Sequence, residues 1–409
     1  MQKNWIRTTL GNLGKFKTSS VNKKSMRNEK IVNLINYMDI YKNKEISNKI
    51  RFQKVTAPFK QIKSSEIRQH DILFTPSSET PYDIGHSSIV VEDLKNTLHS
   101  YHTVKFRLKN PNLFYKDFLK YAFATESIYR YFYLRATGST RYTLNKDDFI
   151  GCEVIYPSSL TEQKNISDYL LSIDKLIEQT NIKLEKTYNL KQSILNKLLT
   201  QGFNHNQFKI IKNKRIPNDW EVATLGNLGN MDRQNLTDKE DPNYSFYYLD
   251  ISSVETGKIH KPKNRIKFSN APSRARKKVR RGDLLISTVR PNLKAFVYVD
   301  EEMEDYICST GFAVLEVNIK NNGLFVYYSL FSDFVSEQLH KLVAGSNYPA
   351  ISSEELNNIK ILRPKLDEQI KIAETIKSVD DNINIIEQKI IKLRNIKKSF
   401  LQKFFNDKK

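Results

Sequence analysis

Thr161-Glu-Gln-Lys-Asn-Ile-Ser-Asp168 occurs a second time as Asp367-Glu-Gln-Ile-Lys-Ile-Ala-Glu374, and the match continues without a gap at a shift of 206 residues. Gln163 falls on Gln369, Ser172 on Ser378, Asp174 on Asp380, Ser193 on Ser399 and Lys197 on Lys403. In the first copy Ile166, Ile173, Thr180, Thr187 and Ile194 occupy heptad position a, and Leu170, Ile177, Leu184, Lys191 and Leu198 occupy d. The second copy has Ile372, Val379, Ile386, Leu393 and Phe400 at a, with Ile376, Ile383, Ile390, Lys397 and Phe404 at d. An apolar residue every three or four positions over this length is the pattern of a long coiled-coil helix. Even the one basic d position, Lys191 and Lys397, is repeated. That predicts two helices that pair with each other, antiparallel, rather than two unrelated surface helices.

A second repeat lies outside the helices. Trp5-Ile-Arg-Thr-Thr-Leu-Gly-Asn-Leu-Gly14 returns as Trp220-Glu-Val-Ala-Thr-Leu-Gly-Asn-Leu-Gly229. The Gly11-x-x-Gly14 spacing is too short to cradle a phosphate and lacks the Lys-Ser/Thr of such a loop. A tryptophan anchor entering a domain is the expectation. Between each tryptophan and its helix stands a variable block. Block one has short strands at His70-Asp-Ile-Leu-Phe74 and Ser88-Ile-Val-Val91, then an aromatic helical run from Leu113 to Tyr133. Block two repeats the plan: Gly282-Asp-Leu-Leu-Ile286 stands where His70 to Phe74 stood, and Ile359 to Pro364 exits into the second helix as Val154 to Pro157 does into the first. Ser159-Leu-Thr-Glu162 has capping-box spacing and Gly202 is placed as a C-terminal cap.

The chain is therefore read as α+β, with two globular domains joined by two long helices in an internal pseudo-two-fold. The expected boundaries are 1–157, helix 158–203, a polar linker 204–219, 220–364 and helix 365–409. At 409 residues there is length for two cores. With 39% hydrophobic and 11% aromatic residues the composition is that of a globular protein. No run of eighteen apolar residues suggests a membrane span, and Met1-Gln-Lys-Asn-Trp-Ile-Arg7 lacks an apolar signal core, so a cytoplasmic location is expected. Cys152 and Cys308 have no metal-ligand spacing and read as buried small hydrophobes.

Sixty-six basic against 45 acidic residues give +21 and a pI near 9.6. Such an excess favours a polyanion, nucleic acid first and an anionic membrane surface second. Lys261 to Lys294 holds twelve Lys or Arg and one acid, Asp283, with its densest part at Arg274-Ala-Arg-Lys-Lys-Val-Arg-Arg281. Asp300-Glu-Glu-Met-Glu-Asp305 follows directly, and this separation of sign suggests a surface turned toward phosphates. The candidate DNA contacts in block two are Arg274, Arg276, Lys277, Lys278, Arg280, Arg281, Arg290 and Lys294, with Ser346, Asn347 and Tyr348 of the Ala344–Pro349 loop. Arg290, in a loop after a strand, has the reach for a bidentate guanine contact. Block one has no comparable cluster; Thr75, Ser77 and Ser78, with Arg135, Ser139 and Arg141, are chosen there by position.

Catalytic patterns are missing from the sequence. There is no Ser/His/Asp arrangement, metal-ligand cluster, CxxC, glycine-rich cofactor turn or Asn/Asp-Pro-Pro-aromatic motif, and consecutive carboxylates at 300–305 do not converge as metal ligands must. The chain reads as a binder, with no cofactor of its own.

Two variable basic blocks, each followed by a repeated helix, resemble the specificity subunit of type I restriction-modification systems over nearly the whole chain. The residues that carry the resemblance are Trp-x-x-x-x-Leu-Gly at Trp5 and Trp220, Gly-Asp-Leu-Leu at Gly282, Glu-Gln at Glu162 and Glu368, and the Gly-Ser loops at Gly138 and Gly345. His70 departs from the pattern where glycine is expected, and the lead-in before Trp5 is short. The resemblance implies that each block is a target-recognition domain for one half of a split duplex site. It also implies that the helices space the domains and dock two modification subunits, which bring S-adenosylmethionine and methylate adenine N6. Two restriction subunits would add ATP- and magnesium-dependent translocation and cleavage. Dissimilar blocks on repeated helices then imply an asymmetric, interrupted site. The competing readings are a DNA-modifying enzyme with an unrecognised motif and a coiled-coil scaffold that binds RNA or protein.

Overall fold

The computed structural model describes residues 4–211, 213–343 and 349–405. Two compact units divide the chain: Met1–Asn181 with Lys389–Lys409, and Ile182–Gln388. Each long helix thus contributes to both units. The first helix spans Leu160–Gln201 and the second Leu366–Phe405. At about 1.5 Å per residue, the first is roughly 60 Å long.

In the first unit, Trp5–Thr9 pairs antiparallel with Glu153–Pro157, in register Trp5↔Pro157. Entry and exit of the domain are thereby closed on each other, next to the start of the first helix. A five-stranded sheet runs in the order Gly14–Thr18, Val104–Leu108, Ile72–Phe74, Ser87–Val90 and Glu45–Ile46. A three-stranded sheet has Lys30–Ile35 between Gln53–Ala57 and Thr97–His99. Phe74, Phe106, Phe118, Phe132 and Phe149 fill the core, and Ile166 and Leu170 of the first helix join it with Phe405 of the second. The aromatic run from Leu113 to Tyr133 is not one helix. It breaks into Leu119–Ala122 and Glu126–Arg135 because Thr125 adopts extended backbone and its hydroxyl caps the Ile128 N–H.

The second unit repeats the closure, with Glu221–Thr224 antiparallel to Lys360–Arg363. One four-stranded sheet runs Gly229–Met231, Phe312–Val317, Asp283–Ser287, Phe296–Tyr298; another runs Ile266–Lys267, Ser245–Leu249, Tyr306–Ser309, Ala275–Lys278. Trp220, fully buried, sits in a core that takes in Leu195, Leu198 and Leu199 of the first helix and Ile372, Ala373 and Ile376 of the second. Where the sequence offers only a polar connector, Phe208–Ile211 and Lys214–Pro217 form a hairpin. Gly202 closes the first helix at φ +60°, and its N–H donates to the Leu198 carbonyl.

None of the twenty a and d positions is exposed. Thr180 and Thr187 lie buried in the seam, their hydroxyls satisfied by the Leu176 and Lys183 carbonyls one turn back. In the first unit Asp174 meets Lys397 and Tyr169 packs on Phe400. In the second Lys191 meets Asp380 and Tyr188 donates to Glu387. Residue numbers rise on one helix as they fall on the other, so the helices run antiparallel in both units.

Candidate nucleic-acid interface

The duplication is built into matching polar anchors. In the first unit the Tyr121 hydroxyl donates to Asp174 Oδ2 at 3.0 Å, and Lys397 Nζ donates to Asp174 Oδ1. In the second the Tyr328 hydroxyl donates to Asp380 Oδ2 at 2.9 Å, while Lys191 Nζ lies 2.6 Å from Asp380 Oδ1. The basic d residue is therefore paired rather than a defect: in each unit one carboxylate ties a domain tyrosine to the lysine of the facing helix. Burial and Lys44 push the Lys397 ammonium down, to about 8, against the opposing pull of Asp174. Trp5 Nε1 donates to Glu162 and Trp220 Nε1 to Glu368. Gln163 accepts from the Tyr115 N–H and donates to the Leu113 and Pro157 carbonyls. Gln369 accepts from the Asn322 N–H and donates to Asn321 Oδ1 and the Pro364 carbonyl. Glu162 and Glu368 are thus tryptophan acceptors. Ser159 still caps the Glu162 N–H, so the first helix keeps only half of the capping box. Sequence reasoning missed Asp174, Asp380, Tyr121 and Tyr328 as anchors; the signal was an aspartate repeated at the same shift as the lysine.

His205, Asp219 and Glu368 converge in the second unit, with their ligand atoms within 4.8 Å of one another. His205 lies 2.8 Å from Glu368 Oε1 and 3.4 Å from Asp219. Glu368 also accepts from the Phe203 N–H and from Trp220, so its oxygens are already engaged in holding the turn after the first helix.

The basic stretch of the second unit is not a uniform cationic surface. Strand Ala275–Lys278 alternates, and Lys277 points inward, buried, donating to Asp232 at 2.7 Å and to the Phe312 carbonyl at 2.6 Å. Arg276 pairs with Asp238 and Arg280 bonds Gln234. The acidic run does not lie apart from the basic one: Glu301 pairs with Lys261, Glu302 with Arg281 and Asp305 with Arg265. Separation in sequence becomes neutralisation in space. Lys294 donates to Ser336, and burial lowers its pKa. Arg290 is exposed, in left-handed backbone at φ +49°, with its N–H donating to the Pro349 carbonyl. Arg274 is exposed and Lys278 half-buried, and neither has a carboxylate partner among the described ion pairs. Lys278, Arg280, Arg281, Glu302 and Asp305 line a cavity of about 600 Å³. Ser346, Asn347 and Tyr348 lie outside the described residues.

In the first unit the structure brings the two positional choices together. Ser77–Ser78 pairs antiparallel with Tyr142–Thr143, and Arg141 donates to Ser77 Oγ at 3.1 Å. Thr75, Ser77 and Ser78 are buried, their backbone holding the loop while Arg141 and Ser139 stay exposed. Arg135 stacks its guanidinium 3.7 Å above the Tyr131 ring. Cys152 and Cys308 are both buried, and no helix among the described residues is long and apolar enough to cross a membrane.

Residues 217–395 match the type I restriction modification DNA specificity domain. Over those residues the chain is similar to the type I specificity subunits. A Methanocaldococcus jannaschii protein named as the specificity subunit of the type I restriction enzyme MjaX is 28% identical over 347 residues, covering 81% of this chain and 76% of that protein. The type I restriction-modification S subunit of M. genitalium superposes over 99% of this chain and 97% of its own, with TM-score 0.55 and 15% identity. A chain from work on the "structural basis underlying complex assembly and conformational transition of the type I R-M system" gives TM-score 0.62 at 16% identity, over 99% and 98%. At such identities the solved structures speak for the fold, which this chain shares along its length.

Proposed function

We propose that this chain is the non-catalytic DNA-recognition subunit of a cytoplasmic type I restriction-modification complex. Each globular unit reads one half of an asymmetric, interrupted duplex site. The helices carry the domains and dock two modification subunits, and two restriction subunits join them. S-adenosylmethionine, ATP and magnesium belong to those partners. The observation that carries this reading is the duplicated set of anchors, Tyr–Asp–Lys, Trp–Glu and Gln, beneath sheets that differ between the units. Repeated scaffolding under unlike surfaces suits a binder that meets two unlike half-sites on one duplex.

The test is a selection of randomised duplex DNA by the full chain in its complex. Two unlike base clusters separated by an unread gap are expected. A single cluster, a palindrome, or no preference would refute the reading. Incubating the chain alone with DNA, magnesium and S-adenosylmethionine should yield neither cleavage nor methyl transfer; turnover would make it an enzyme.

A further inference from the structure

Block one has no basic run comparable to that of block two, yet one face of the first unit carries a cluster of exposed and half-buried rings. Tyr82 is 79% exposed and stacks on Tyr133, with centroids 4.6 Å apart and planes 17° from parallel. Beside them a chain of rings runs Tyr37 to Tyr41 at 5.9 Å, Tyr41 to His86 at 4.8 Å and His86 to Tyr129 at 5.6 Å. Tyr37 lies beside the Ser78 and Thr75 side chains, and Arg141 is close enough to act on it electrostatically. Arg141 itself is held by the neutral Ser77 hydroxyl, with no carboxylate partner among the described ion pairs, so its positive charge is uncompensated. The one acid in the group, Asp83, is held by His86 at 2.7 Å.

From this arrangement we infer that the first unit reads its half-site through the stacked pair Tyr82–Tyr133 with Arg141 beside it, rather than through a lysine-rich surface. The proposal rests on the DNA-recognition reading above and names the residues that determine specificity in one unit. A stacked tyrosine pair presents large, rigid contact area at little entropic cost. It offers apolar ring edges to base methyl groups and hydroxyls to base edges. The Arg141 guanidinium, oriented by Ser77, supplies the charge complement to phosphate or the fork for guanine. The occupant is duplex DNA.

Three forms of the full chain, in complex, are put through the randomised-duplex selection: unchanged, Tyr82→Ala with Tyr133→Ala, and Arg141→Ala. In the double variant, enrichment of one base cluster should fall tenfold or more while the other stays within twofold, and Arg141→Ala should relax one or two positions of that same cluster. Because Tyr82 is mostly exposed, the double variant should keep the unchanged chain's thermal midpoint; Tyr82→Phe with Tyr133→Phe, which keeps the stack, serves as a second variant and should lose less than the alanine pair. If the unchanged chain enriches two clusters and the alanine variants keep both, the proposal is overturned and DNA recognition stands. An unchanged chain with no preference overturns both.

Discussion

Replacing Asp174 by alanine removes the acceptor shared by Lys397 and Tyr121, and the cost can be worked from the surroundings. The Lys397 side chain is 10% exposed and the Asp174 side chain 33%. Removing one partner of a fully buried ion pair costs about 3–5 kcal/mol, because the other charge is left unpaired. An unpaired buried hydroxyl adds about 1–3 kcal/mol. Water can enter where Asp174 is one-third open, and Lys397 can shed its proton, so both costs are discounted to a total of about 3 kcal/mol. The equivalent change, Asp380→Ala, likewise leaves the Tyr328 hydroxyl without its acceptor, but the Lys191 it strips is 25% exposed and can reach solvent by a small rotation. Its cost should be smaller, about 1–2 kcal/mol. The chain supplies its own reporters: its two tryptophans, Trp5 and Trp220, fall one in each unit. Urea unfolding followed by fluorescence, with Trp5→Phe and Trp220→Phe backgrounds to separate the signals, gives the loss for each unit. If Asp380→Ala cost as much as Asp174→Ala, or if Asp174→Ala cost under about 0.5 kcal/mol, the pairs would be surface ion pairs and not anchors.

Other outcomes follow from the same geometry. Gly282 sits at φ +90° with nothing within 4 Å of an added Cβ, so Gly282→Ala should cost about 1 kcal/mol of thermal stability through backbone strain alone. Lys277→Met should destabilise the second unit by about 2–4 kcal/mol, by leaving Asp232 unpaired, yet leave the salt dependence of DNA affinity unchanged. Arg274→Ala should do the reverse, lowering the slope of log affinity against log salt by about 1 with no loss of stability. Burial pushes the Cys152 thiol up to about 12 and the Cys308 thiol higher still, so neither should react with iodoacetamide at pH 8 until the chain is unfolded.

The helices were legible because a coiled-coil seam is a local, periodic pattern, and a repeated one supplies its own control. Even the strand entering each domain could be placed, since Trp5 and Trp220 sit in copies of one motif. His70 shows how far the repeat reaches. It stands where the second copy has Gly282 and takes up the same left-handed turn, at φ +68°. In both turns the aspartate that follows accepts an N–H from three residues back, Arg68 for Asp71 and Arg280 for Asp283. The hydrogen-bonded turn persists although the glycine does not, because histidine tolerates left-handed backbone better than a branched residue does. The aromatic run from Leu113 to Tyr133 was misread for the opposite reason. Its spacing fits a helix throughout, but extended backbone at Phe114 keeps residues 114–118 out of the helix and the side-chain cap by Thr125 divides the rest.

The interface was the part least legible, and Lys277 shows why. Counting charge along a chain treats each lysine as solvated, but a strand sends alternate side chains to opposite faces. A run such as Arg276-Lys277-Lys278 must therefore place one cation where the other two are not. Lys277 goes inward and is balanced by Asp232, a partner 45 residues away that no local window contains. The acidic run at 300–305, which in sequence marks a boundary, returns beside the basic one because Tyr306–Ser309 pairs with both Ser245–Leu249 and Ala275–Lys278. In the first unit the misdirection runs the other way. Most rings of a helical aromatic run read as core with one or two left to reach a base or phosphate, and spacing alone cannot tell the face that Phe132 buries from the one on which Tyr133 meets Tyr82. Charge density is thus a poor guide to which unit reads its half-site more strictly. A rigid, uncharged surface discriminates bases by fit, whereas cations offset by neighbouring carboxylates contribute mainly affinity that salt removes.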